Sequence, residues 1–113
     1  MSVRSLNELL AKLYDVETTG TLNPVVATVG TSPVAILRNN PQRVQAYVVN
    51  LSLNRVYVGP SWDVSATKGI RLDPNGGFWS VVYYEDFHAA GWEWVAVADA
   101  AASPILVFEG TVI

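Results

Sequence analysis

Glu85, Asp86 and His88 stand together in the stretch EDFH, where residue types suggest a metal or acid–base site. His88 is the only histidine in the chain. Ligands this close in sequence seldom converge on one ion without a further donor from elsewhere, and a metal-binding barrel of the cupin kind wants several histidines. The stretch therefore reads as a solvated loop. Ser, His and Asp all occur, yet no Gly-x-Ser-x-Gly elbow does. Gly76-Gly77 leads into a strand-like run rather than a helix, so it does not make a phosphate cradle. The absence of cysteine excludes thiolate catalysis, disulfides and Cys-bearing zinc sites. The expectation is a protein that is not an enzyme and holds no cofactor or metal.

The aromatic residues are the other candidates for a site. Trp62, Trp79, Trp92 and Trp94 with Tyr47, Tyr57, Tyr83 and Tyr84 can stack on sugar rings, but large rings bury much area and serve more often as core or interface anchors. Trp62 differs from the rest. It sits in a polar loop where burial in its own domain is not assured, which makes it a candidate for contact with a partner.

The elements that must position these residues follow from length and patterning. A chain of 113 residues fits one domain and is long enough for a real core. Half of it is hydrophobic and only 15% is charged, against about 25% in average soluble domains. Such a surplus of apolar surface suggests burial in a partner. The net charge of −3 and seven scattered Lys and Arg argue against nucleic acid. No window approaches the roughly 18 apolar residues of a membrane span, and the start MSVRSLNELL lacks the apolar core of a secretory signal. The chain reads as soluble and made without export.

Ser5 and Glu8 have the spacing of a capping box, which predicts a helix over 6–15. At 100° per residue Leu6, Leu9, Leu10, Leu13 and Tyr14 share one apolar arc, with Glu8 and Lys12 opposite. Residues 1–16 thus form an amphipathic arm that packs on its own domain or docks on a neighbouring subunit. Residues 17–24 (ETTGTLNP) read as a polar linker, and 25–113 as the main domain.

From Val25 onward the pattern is β to the end. Strands are expected over 25–29, 34–38, 43–51, 55–59, 69–72, 78–84, 92–98 and 104–113. The segment 43–59 reads as a hairpin, 60–68 as a loop long enough to cross between sheets, and 73–77 (DPNGG) as a tight turn. Toward its end 43–51 is apolar on both sides, as in a strand covered on both faces. About seven or eight short strands without intervening helices give a mainly β fold, an antiparallel β-sandwich or jelly-roll-like barrel with one N-terminal helix.

The order YVVNLSLNRVYVGPS, then TKGIRLDPNG, then WVAVADAAASPILVFEG resembles small β-sandwich virion proteins of tailed bacteriophages over 44–110. The aromatic FWSVVYY run and the EDFHAAG stretch depart from that pattern. The resemblance implies a capsid decoration or cement protein on the virion surface, made in the host cytoplasm. It implies a homo-oligomer, a trimer among the arrangements, bound to the major capsid protein or other virion proteins, without nucleic acid, membrane or cofactor. The candidate partner-binding residues are Leu6, Leu9, Leu10, Leu13, Tyr14 and Trp62. The alternatives are a tail or receptor-binding component and a carbohydrate-binding β-sandwich module stacking sugars on Trp62.

Overall fold

The computed structural model describes residues 5–14, 19–21 and 24–112. A helix α1 spans Leu6–Tyr14, with the Glu8 amide donating to Ser5 Oγ at 3.2 Å and the Leu9 amide to the Ser5 carbonyl at 3.1 Å. The strands follow as β1 (Thr19–Thr21), β2 (Val25–Val29), β3 (Val34–Leu37), β4 (Arg43–Asn50), β5 (Val56–Gly59), β6 (Ile70–Leu72) and β7 (Phe78–Val82). A single helical turn α2 (Tyr83–Asp86) runs into a 3-10 turn (Phe87–Gly91), and β8 (Trp94–Ala98) and β9 (Ser103–Val112) complete the chain. Strand β1 falls in the segment read as linker.

Two antiparallel sheets result. In the five-stranded sheet β1 and β2 lie end to end along β9, followed by β4 and β7; the four-stranded sheet has the order β3-β8-β5-β6. The sheets are open, so the expected sandwich is found and the closed barrel is not. Alternation places one set of side chains between the layers: Ala46, Val48, Val81, Ile105 and Val107 from the five-stranded sheet meet Leu37, Val56, Val58, Leu72, Trp94, Ala96 and Ala98 from the other. Trp79 and Trp94 touch across this core with ring centroids 4.3 Å apart.

Several local expectations change. The segment 43–59 is not a hairpin, because β4 pairs with β7 and β9 while β5 pairs with β6 and β8. The 60–68 loop does not cross between sheets but joins the paired strands β5 and β6. The 73–77 turn makes a crossing instead, from β6 in one sheet to β7 in the other. Strand β7 ends at Val82, and 83–91 is helical rather than strand and loop.

Asn50 is the physical reason for the first and third of these. Its side chain is fully buried at the end of β4, where Nδ2 donates to the carbonyls of Asn54 (2.7 Å), Leu72 (3.1 Å) and Asp73 (3.2 Å). Its Oδ1 accepts from the Ser52 amide at 3.0 Å and the Ser52 hydroxyl at 2.7 Å. One amide group thus folds 50–54 over the edge of the sandwich and ties it to the other crossing. The 73–77 turn closes beneath it with Asn75 at φ 60° and Gly76 at φ 111°; a Cβ on Gly77 would stand 2.4 Å from the Asp73 nitrogen.

Asn50→Asp keeps the shape but turns a donor toward three carbonyl oxygens into an acceptor. It is expected to lower unfolding free energy by about 3 kcal/mol in urea melts. Burial among acceptors raises the introduced carboxyl's folded pKa, so the loss should be smallest below the unfolded value near pH 4 and grow as pH rises.

Candidate interaction surfaces

The two sheets differ in what lies on their outer faces. On the four-stranded sheet Tyr57, Val95 and Val97 point away from the core, and the chain covers them with its own 60–68 loop, through Val64, which is 5% exposed. The fit is close: Cβ atoms added at Gly59 and Gly69 would stand 3.1 and 2.9 Å from Val64 Cγ2. Trp62 belongs to this cover. Its indole N–H donates to Glu93 Oε1 at 2.9 Å, which ties the loop to the residue before β8. Lys68 and Asp63 pair at 3.2 Å within the loop, and the Ser61 hydrogen bond and the Lys68 ammonium hold the Asp63 carboxyl below its usual range. The ring of Trp62 is still 55% exposed, but its polar edge is used inside the chain.

No described segment covers the outer face of the five-stranded sheet. Residues directly opposite in neighbouring strands share a face, so register defines the surface. One row crosses four strands as Val26, Leu106, Val49 and Phe78. The next holds Phe108, Tyr47 and Ser80, with the Phe108 and Tyr47 rings stacked 5.0 Å apart. On the other side of the first row lie Thr28 and Pro104, with Leu51 following β4 there. Gln45 closes the far end, its side chain lying over Gly110. Val26 is 61% exposed and Phe78 68%, at the two ends of the first row. These rows carry no formally charged side chain. Among the described residues of this chain, β4 is covered on one face, by the four-stranded sheet.

The helix α1 touches the sandwich through Tyr14, whose ring meets Tyr83 edge-on at 5.6 Å. The Tyr14 hydroxyl, hydrogen-bonded beside Tyr83, pushes the Tyr83 phenol above its usual pKa. Leu9 and Leu13 are exposed, and Leu13 reaches 61%. The side chains of Leu6 and Leu10 lie outside the described residues, so the six candidates are not brought into one surface.

Arg43, which the sequence reading did not single out, organises a third region. A register shift between Arg43 and Gln45 marks a bulge that turns this side chain inward. The guanidinium, 1% exposed, pairs with Glu109 at 2.7 Å and donates to the carbonyls of Ala90, Trp92 and Arg38. It thereby ties both walls of an open cavity of about 460 Å³, rimmed by Asn39, Pro41, Tyr83, Phe87, His88 and Trp92. Phe87 stands in this rim at φ 53° and 75% exposed. Of the EDFH group, Asp86 Oδ2 accepts from the Val82 amide at 2.9 Å; among the described residues no group of three His, Asp or Glu could hold a metal ion.

No family model and no curated protein matches the chain. Among solved structures it is similar to a chain from Bacillus endospore appendages, described as a novel family of disulfide-linked pili. The two are 9% identical with a TM-score of 0.49, over 85% of this chain and 88% of that one. A likeness of that size carries no argument about function.

Two outcomes follow from this geometry. Arg43→Lys replaces a planar five-donor group by a point charge that cannot reach four acceptors, so urea melts should show a loss of about 3 kcal/mol. The raised pKa of Tyr83 means that the Tyr14 contact is complete below about pH 10 and is lost as pH rises through the folded value. Tyr14→Phe removes that hydrogen bond, and tyrosinate absorbance at 295 nm should then appear at lower pH than in the parent chain.

Proposed function

We propose that this chain is a non-enzymatic structural protein of a virion, of the capsid decoration type, which binds a phage head shell and stabilises it. The observation that carries the reading is the open, uncharged outer face of the five-stranded sheet. Contiguous exposed apolar patches beyond a few hundred Å² mark sites of association. A protein that works by area and shape needs such a face and no reactive group. The exposed Leu9 and Leu13 of α1 add a second grip, and the strand and turn pattern over 44–110 that resembles tailed-phage virion proteins supplies the setting.

A second reading, a sugar-binding module, gains support from the rim of the Arg43 cavity, where Tyr83, Phe87 and Trp92 stand with His88 and Asn39. On that reading Trp92, 47% exposed, takes the stacking role expected of Trp62.

Purified tailed-phage heads stripped of their decoration proteins provide the test. The chain should cosediment with them to saturation. Leu13→Asp should weaken this at least about tenfold while thermal melting stays within about 0.5 kcal/mol of the parent, since Leu13 is exposed. A chain that fails to bind such heads overturns the reading; binding to a glycan array, lost in Trp92→Ala, favours the second.

A further inference from the structure

We infer that the outer face of the five-stranded sheet is the meeting surface of two copies of this chain, packed sheet against sheet about a twofold axis. This rests on the reading of the protein as one that works by association: it assigns the open sheet face to contact between copies and leaves the exposed Leu9 and Leu13 of α1 for the shell.

The rows through Val26, Leu106, Val49 and Phe78 and through Phe108, Tyr47 and Ser80 lie on a pleated sheet rather than in a groove. A flat pleated face of this kind can be matched by a second sheet face, with the layers about 10 Å apart. A second copy meets the further condition of charge. Two identical faces can be opposed only if doing so does not bring like charges together, and these rows hold no formal charge. Among the described residues, the charged side chains fall outside these rows.

Strand spacing and rise give the four-strand face an area of about 500 Å². A pair of such faces therefore removes about 1,000 Å² from water, which reaches the lower bound for a specific interface. The contrast with the other sheet strengthens the case. There the chain spends its 60–68 loop on covering Tyr57, Val95 and Val97, whereas here rows at least as apolar have no described cover.

Sedimentation equilibrium of the full chain tests this. The parent should dimerise with a dissociation constant on the order of 10 µM or tighter. Val49→Lys should weaken that at least about tenfold, with urea melting of the monomer preserved because the long side chain can reach water from a solvent-facing position. Trp62→Ala, on the opposite side of the sandwich, should leave dimerisation unchanged. A parent chain that is monomeric at about 200 µM overturns the inference. So does an oligomer that Val49→Lys leaves intact, including a trimer, because a twofold face cannot build one. Head binding reads out separately. A monomer that still coats phage heads keeps the functional reading and sinks this one, while a Val49-dependent dimer that ignores heads does the reverse.

Discussion

The burial of the Arg43 guanidinium is the constraint from which much of the sandwich follows. A charge held at 1% exposure must find acceptors on every side, and it finds them on Glu109 of β9, on the backbone before β4 at Arg38, on Ala90 in the 3-10 turn and on Trp92 just after it. Those partners come from β9, from the segment between β3 and β4, and from the stretch between β7 and β8. The Asn40 amide donates to the Gly91 carbonyl at 2.8 Å beside it, and a Cβ on Gly91 would stand 2.8 Å from the Asn40 oxygen, so the two backbones are in direct contact. At the opposite end of the same strand Asn50 does the comparable work with neutral hydrogen bonds. Strand β4 is thus polar and buried at both ends, with only Gln45 polar between them.

That arrangement explains what could be read from the sequence and what could not. Strand positions were legible, because alternation in 43–50, 56–59, 94–98 and 103–112 reflects the local pleat alone. Which strands pair was not legible. A short polar turn such as Ser52-Leu53-Asn54 looks the same whether it closes a hairpin or crosses to another sheet, and the choice is made by Asn50 reaching carbonyls 22 and 23 residues away. The 83–91 segment was misread because Tyr83 and Tyr84 continue a strand composition, while Asp86 takes the Val82 amide and ends the strand there.

The exposed face was half visible. In the sequence β4 becomes apolar on both sides toward its end, which is the available signal for Tyr47 and Val49. Joining them to Val26, Phe78, Leu106 and Phe108 required the register across β2, β9, β4 and β7. Arg43 was invisible for a different reason. A one-residue bulge reverses the side on which a side chain lies, and nothing in RVQAY announces it. Trp62 was noticed for its polar surroundings, and those surroundings turn out to include its own partner, Glu93.

The lack of ionisable acids and bases on the open rows also sets how any contact made through them responds to its surroundings. Such a contact has no carboxylate or ammonium to titrate near neutral pH and no ion pair for salt to screen. It should be nearly indifferent to pH between about 5 and 9, tighten in sulfate and loosen on cooling, as apolar burial does. Cold rather than acid is the condition that would take it apart.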